Sequence, residues 1–278
     1  MMMAVLGLCL VLILVFVLGK RLLKDRRTLL AIAPTSEATC LRNNKLRIPP
    51  VIHQTHKSRA VPDRMSRAIH TWIDLNPEYE HRYYDDEELA AYIYDHGPPD
   101  VIAAYEVLLT KYPSKGAMRA DLFRFLLMAR EGGVYADVDT VPKTSLAALL
   151  DADDQYVSGV GRRNDLHQWL IITVPGHPFM VKALELAVRA ILDDKPYAGD
   201  ISPLAGLAGR PVLNAAFEDV VREAGLARTT AGGTHAIGGG FTYRIIPGDL
   251  LGGNIVFKYP GYEDDLEALG VMHWSKGD

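Results

Sequence analysis

Two acidic residues one position apart, Asp137 and Asp139, stand at the end of a short apolar run, Val134-Tyr135-Ala136, that follows Gly132-Gly133. Side chains at i and i+2 share one face of a strand, and once the chain leaves the strand both carboxylates can reach one cation. Carboxylate oxygens are hard ligands that suit Mg²⁺ or Mn²⁺, and such an ion can bridge a diphosphate. An isolated Asp-x-Asp is common in solvated loops. Its place here, after a Gly-Gly turn and at the end of an apolar strand, is where α/β proteins hold ligands. Asp121 and Arg124 lie one helical turn apart on the preceding segment and share a face. They form either an ion pair on a solvated helix or a second group turned toward the same pocket, because that helix runs directly into the aspartate turn.

The elements that must position these groups follow from periodicity. Leu122, Phe125, Leu126 and Ala129 predict a helix over 117–131, stopped by Gly132-Gly133. Val134 to Ala136 is a strand. Upstream, Ile48-Pro-Pro-Val-Ile-His-Gln opens the structured part with a strand. Met65, Ile69, Trp72 and Leu75 give a helix over 63–75, and Arg82-Tyr83-Tyr84 reads as a strand. Asp85 and Asp86 cap a helix carrying Leu89, Tyr92 and Ile93, and a further helix covers about 100–110. Downstream, strands are expected near 156–160, 168–173 and 241–246, with helices near 178–192 and 211–224. The Gly-rich stretch 231–240 reads as a loop. Strands alternating with helices make an α/β protein.

The 278 residues divide into a 1–27 membrane anchor with its basic flank, a 28–47 linker and a 48–278 catalytic domain of about 230 residues. Met1 to Gly19 carry no charge and would span about 28 Å as a helix, enough to cross a bilayer, before the basic stop Lys20, Arg21, Lys24, Arg26 and Arg27. The positive-inside rule would keep that basic cluster, and the bulk of the chain with it, in the cytoplasm. Hydrophobic residues make up 49% and charged ones 23%, so a packed core is expected. A net charge of −4 leaves no basic footprint, so no nucleic acid is expected as a partner. The two cysteines, Cys9 and Cys40, both precede the catalytic region, which excludes a thiolate zinc site there.

Five ordered blocks carry a resemblance. Ile48-Pro-Pro-Val-Ile-His-Gln-Thr, Asn76-Pro-Glu-Tyr, Arg119-Ala-Asp-Leu-Phe-Arg-Phe, Gly132-Gly-Val-Tyr-Ala-Asp-Val-Asp and Pro175-Gly-His-Pro resemble the successive blocks of glycosyltransferase family 32. This DXD family includes the Golgi initiating α-1,6-mannosyltransferases and the inositol-phosphoceramide mannosyltransferases. Gln168-Trp169 is similar to the initiating branch. The resemblance covers about 48–277 and implies a GT-A-like single domain: a mixed, mostly parallel central sheet flanked by helices, behind an N-terminal transmembrane helix. It implies a nucleotide-sugar donor, GDP-mannose on the branch match, with Mn²⁺ or Mg²⁺, a glycan or glycolipid acceptor, retention of anomeric configuration and a Golgi-lumenal domain. Asp137 and Asp139 match the metal and donor ligands, Asp121 and Arg124 the positions that hold the donor sugar, and Tyr135 a residue beside the donor. His273-Trp-Ser-Lys-Gly277 partly matches a C-terminal motif of the family, which makes His273 either a metal or phosphate ligand or an ordinary surface residue. The block after Ile52-His53-Gln54-Thr55 places His56 where the family has an aromatic expected to stack near the nucleotide. His53 is a structural or nucleotide-edge residue.

The chemistry expected is stabilisation of a departing nucleoside diphosphate by a cation, with Arg124 or Arg119 adding positive charge. Retention leaves two routes open, front-face displacement and a covalent intermediate on a carboxylate. Three alternatives stand beside this. One is a haloacid-dehalogenase-like phosphohydrolase with Asp137 as nucleophile. Another is a UDP-sugar-dependent transferase of the same family. The last is a catalytically inactive, lectin-like protein.

Overall fold

The computed structural model describes residues 29–31, 35–36, 46–161, 163–198 and 204–270. In chain order the strands are β1 (Leu29–Ala31), β2 (Thr35–Ser36), β3 (Val51–Thr55), β4 (Ala60–Pro62), β5 (Glu80–Tyr84), β6 (Gly133–Ala136), β7 (Val141–Pro142), β8 (Tyr156–Gly159), β9 (Leu170–Thr173), β10 (Gly233–Gly238), β11 (Phe241–Ile246) and β12 (Ile255–Val256). The helices are α1 (Asp63–Leu75), α2 (Asp86–His96), α3 (Pro99–Lys111), α4 (Gly116–Arg130), α5 (Leu146–Leu149), α6 (Pro178–Asp193), α7 (Ala205–Ala208), α8 (Arg210–Glu223), α9 (Gly248–Asn254) and α10 (Tyr262–Ala268).

Eight strands form one sheet in the order β10-β11-β8-β9-β6-β3-β5-β2. β3, β5, β6, β8 and β11 run one way, and β2, β9 and β10 run the other. The sheet is therefore mixed and mostly parallel, as expected. Both faces are covered, so β6, β8 and β9 are buried along their whole length rather than alternating between buried and exposed positions. Val134 and Ala136 of β6 face a cluster with Ile52, Trp72, Leu170 and Ile172. Tyr135, between them, faces the larger cluster with Phe123, Leu127, Ile171 and Phe179. Each large side chain buried there contributes roughly 2–3 kcal/mol of transfer free energy.

α1 buries Met65, Ile69 and Trp72 along one stripe. α2 begins with a complete capping box between Asp85 and Glu88. α4 buries Leu122, Phe123, Phe125, Leu126, Leu127 and Met128, more than one stripe, because other helices and the sheet enclose it. It stops where Gly132 and Gly133 take φ of +65° and +94°. A Cβ on Gly132 would stand 2.6 Å from the Thr173 carbonyl oxygen, and one on Gly133 would stand 2.7 Å from that of Val51. Only glycine lets the chain turn there into the middle of the sheet.

Two expectations are corrected. The stretch 231–240 is not all loop, because β10 occupies its centre and pairs antiparallel with β11. β10 is an edge strand held by backbone bonds, with Ile237 its single buried side chain, so nothing in its sequence alternates. The segment 28–47, expected to be a linker, carries β1 and β2, which pair with β4 and β5. Residues 1–27, expected to be the anchor, lie outside the described residues, as do Cys9, Cys40 and His273. No helix among the described residues is long and apolar enough to cross a membrane.

Candidate functional site

β3 and β6 are parallel neighbours, so their carboxyl ends open on one edge of the sheet. That edge is where open α/β sheets place ligands. Asp137 is the first residue beyond β6, and its N–H donates to the Trp169 carbonyl at 2.9 Å, which extends the β6–β9 ladder by one bond. The chain then turns: Thr140 Oγ1 donates to the Asp137 carbonyl at 2.6 Å, and the Trp72 indole N–H donates to Thr140 at 3.2 Å. The Tyr259 N–H donates to the Asp139 carbonyl at 2.9 Å. The two aspartates therefore sit on a turn fixed from three sides.

Asp137 is the more accessible of the pair, its side chain 29% exposed. Arg124 Nη2 stands 3.1 Å from Asp137 and 3.2 Å from Asp121, so one guanidinium joins the helix pair to the strand-end aspartate. Arg124 also donates to the Gln168 carbonyl at 2.9 Å and lies over the Tyr135 ring at 4.5 Å. The Tyr135 hydroxyl donates to Asp137 at 3.2 Å. Asp121 and Arg124 are thus not a solvated surface pair: they lie inside the fold and turn toward the strand-end aspartate. Burial pushes the Asp121 carboxyl up to about 7 against the pull of Arg124.

Asp139 lies deeper than Asp137. It is 6% exposed, not solvent-facing, and its Oδ1 has no hydrogen-bond partner. Burial, reinforced by the Asp137 charge, raises its carboxyl to about 7. Burial likewise raises Asp137, against Arg124. An orphaned carboxylate oxygen at this depth is costly unless something positive meets it. Among the described residues no three His, Cys, Asp or Glu side chains form a complete cage. Two carboxylates completed by substrate phosphates and water suit Mg²⁺ or Mn²⁺, so the residues present fit such an ion.

The other expected residues divide. His56 follows β3 at the same carboxyl edge; its Nδ1 is 3.2 Å from the Ser58 carbonyl, and burial lowers its pKa. His53 is wholly buried in β3, stacked on Tyr84 at 6.0 Å, its pKa lowered by burial to about 3. Of the two roles open to it, this position supports the structural one. Arg119 donates to the Pro113 carbonyl at 3.0 Å and stands 3.9 Å from Asp86.

Sequence reasoning missed the segment behind the turn. β12 pairs with β7, the loop after it carries Lys258, whose charge acts on Asp139, and Tyr262 at the start of α10 feels both aspartates. The only signal was the local Lys258-Tyr-Pro-Gly-Tyr262 turn chemistry, which says nothing of a partner over a hundred residues away. Gln168 contributes a backbone carbonyl, a role no side-chain pattern reveals.

Residues 62–156 match the family described as the glycosyltransferase sugar-binding region containing the DXD motif. The chain is 33% identical over 142 residues to mannosyl phosphorylinositol ceramide synthase SUR1 of Saccharomyces cerevisiae, covering 50% of this chain and 34% of that protein. It is 29% identical to the initiation-specific alpha-1,6-mannosyltransferase of Candida albicans, covering 57% and 47%. The chain thus spans about a third to a half of the length of these curated relatives. Among solved structures, PaToxG glycosyltransferase superposes with a TM-score of 0.52 at 18% identity, covering 64% of this chain and 71% of that one. That likeness concerns the fold, which is GT-A-like. The matches bear out the resemblance read from the five blocks, and they do not favour the phosphohydrolase alternative.

Proposed function

We propose, from the membership of residues 62–156 in the DXD sugar-binding family, that this chain is a retaining glycosyltransferase that moves mannose from GDP-mannose to a glycan or glycolipid acceptor. The observation that carries this is the charge arrangement at the strand end. Arg124 grips Asp121 and Asp137 together, and Asp139 keeps a buried oxygen without a partner. A divalent cation held by Asp137 and Asp139 would neutralise charge on the diphosphate. Asp121, with its carboxyl near 7, can donate to or accept from sugar hydroxyls, and Arg124 can hold a second hydroxyl while remaining tied to the Gln168 carbonyl. The Tyr135 ring supports the guanidinium from below and its hydroxyl orients Asp137. Mannose as the sugar is supported by the relatives, among them an inositol phosphoceramide mannosyltransferase of Schizosaccharomyces pombe and the initiation-specific alpha-1,6-mannosyltransferase of Candida albicans. Membrane anchorage through residues 1–27 and a Golgi-lumenal placement belong to the same proposal. They rest on the apolar run in the sequence and on the family resemblance.

The test is a donor panel. Purified chain in Mn²⁺ should hydrolyse or transfer from GDP-mannose in preference to UDP-sugars, and excess EDTA should abolish turnover. Preference for a UDP-sugar would keep the transferase and discard the donor. Full turnover in EDTA would discard the metal. Phosphate release from simple phosphoesters without sugar transfer would restore the hydrolase alternative.

A further inference from the structure

Two segments bonded to the aspartate turn meet through their aromatic rings. On one side, the Trp169 carbonyl accepts the Asp137 N–H at 2.9 Å, and the neighbouring Gln168 carbonyl accepts from Arg124 at 2.9 Å. On the other side, β12 pairs with β7 through Val256 and Val141, and the Tyr259 N–H donates to the Asp139 carbonyl at 2.9 Å. Phe257 lies between those two attachments. Its ring stacks on Trp169 with the centroids 5.1 Å apart and the planes 21° from parallel, and His167 packs on the same indole at 4.7 Å. Trp169 also packs on the cluster that holds Val134, Leu170 and Ile255. Backbone bonds thus fix both rings relative to Asp137 and Asp139.

Phe257 stays 45% exposed although its ring is stacked and the Lys258 ammonium stands 5.7 Å from its centre. Trp169 is half-buried beneath it. Among the described residues the other large exposed hydrophobics are Tyr94 in α2, Val181 and Leu192 in α6, and Leu226 after α8. None of them belongs to a segment bonded to the aspartate turn, so the exposed apolar surface there is a single stack and not a broad patch. The stack also has a side. The sheet order sets β3 and β9 on opposite flanks of β6, so His56, which leaves β3, and Trp169, which enters β9, stand on either side of the aspartates. Arg124 rests on Tyr135, which faces the α4 side of the sheet, whereas Trp169 packs on the Trp72 side. The rings therefore lie away from the groups assigned to the donor.

We propose that the Trp169–Phe257 stack is the acceptor platform: the Phe257 face, backed by Trp169, packs against the C–H face of a six-membered polyhydroxylated ring, a pyranose or an inositol. This rests on the glycosyltransferase reading above and names the class of ring that the same site accepts. Such a ring carries its hydroxyls around the rim and its C–H hydrogens on the faces. The face has little hydration to lose, and its weakly positive hydrogens meet the negative face of the aromatic quadrupole. The rim hydroxyls remain free to reach the sugar held at the aspartates. A lipid chain needs a long apolar groove, and one stacked pair does not supply it. Two stacked rings held by backbone bonds are also already ordered before the acceptor arrives, so little side-chain entropy is lost on binding.

The experiment is steady-state transfer by the whole chain in Mn²⁺, from GDP-mannose or the UDP-sugar that replaces it in the donor panel. The acceptors are methyl α-mannopyranoside and myo-inositol, which separate a glycan from an inositol headgroup as the source of the ring. Wild type is compared with Phe257→Leu, which keeps an apolar side chain and removes the flat face, and with Phe257→Trp, which keeps the face. For the ring that wild type uses, KM should rise by about tenfold in Phe257→Leu, with kcat moving less, and should stay near the wild-type value in Phe257→Trp. The affinity for the nucleoside diphosphate in Mn²⁺, read by calorimetry, should be equal in all three. An unchanged acceptor KM in Phe257→Leu would overturn the proposal and leave the stack a structural contact. A loss of nucleotide affinity in Phe257→Leu would also overturn it, by placing the nucleobase on the stack. So would wild type that turns over donor to water while using neither ring. Wild type that turns over no sugar nucleotide would overturn the glycosyltransferase reading and this inference with it.

Discussion

Replacing Asp139 by asparagine should stabilise the metal-free protein at alkaline pH. The carboxyl is buried, one of its oxygens has no partner, and burial together with the Asp137 charge moves it from 3.8 to about 7. A raised carboxyl means that the folded chain keeps a proton the unfolded chain has lost. Its contribution therefore falls as pH rises from about 4 to about 7, and the penalty is complete above that. A shift of some three units corresponds to roughly 4 kcal/mol, or about 10 °C in melting temperature at 2–4 °C per kcal/mol for a domain of this size. The buried histidines act in the opposite sense. His53, lowered to about 3, and His81, His167 and His177, lowered to about 4, bind fewer protons folded than unfolded, so stability is lost as pH drops below their unfolded value. The Asp139→Asn minus wild-type difference cancels them. Thermal denaturation in EDTA at about pH 5 and about pH 8 should show a small difference at the lower value and a stabilised variant at the higher. Added Mn²⁺ should raise the wild-type melting temperature at the higher pH and leave the variant unmoved. An Asp139→Asn variant less stable than wild type in EDTA at the higher pH would refute the reasoning.

Two further outcomes follow from the same geometry. Asp121→Asn keeps the side-chain shape and leaves Arg124 bound to Asp137 and Gln168; kcat/KM for sugar transfer should fall by about a hundredfold or more while GDP in Mn²⁺ binds as before. Loss of nucleotide affinity in that variant would return Asp121 to a purely structural role. Gly132→Ala would put a Cβ 2.6 Å from the Thr173 carbonyl oxygen and 2.7 Å from the Pro175 nitrogen at a positive φ, so urea denaturation should show a loss of at least about 2 kcal/mol. An unchanged midpoint would contradict the turn as described.

Much of the frame was legible because periodicity and burial coincide. α1, α4, α6 and α8 each present apolar residues at helical spacing, and each appears within a residue or two of its expected bounds. β10 was not legible, because an exposed edge strand of glycine, threonine and alanine is held by backbone bonds that leave no trace in side-chain type. The aspartates were legible as a pair, but their depth was not. The burial of Asp139 comes from Tyr259 and its loop, some 120 residues along the chain, and from Trp72 beneath Thr140.

The five sequence blocks differ in what they do once folded, and the difference explains why a short pair of aspartates can be recognised at all. Asn76 never meets the site. Its Oδ1 accepts the Leu146 N–H at 2.6 Å and its Nδ2 donates to the Trp72 carbonyl at 2.8 Å, which fastens α1 to the segment leaving the aspartate turn. Trp72, so held, donates its indole N–H to Thr140. The Pro175-Gly-His-Pro block also works at a distance: His177 Nδ1 accepts the Phe179 N–H at 3.3 Å to cap α6, and Nε2 reaches the Thr242 carbonyl at 3.2 Å, a tautomer consistent with its lowered pKa. His53 fills the space left beside Gly133 in the middle of the sheet. Three of the five blocks thus build the frame, and two carry the charges. The frame has to be stiff, because the site gathers Asp121, Asp137 and Asp139 around a single guanidinium with little water to screen them. Mutual repulsion would spread a looser turn apart. Trp72, Asn76, Gly132 and Gly133 together hold the turn against that repulsion, so the carboxylates stay close although no side chain meets the buried Asp139 Oδ1.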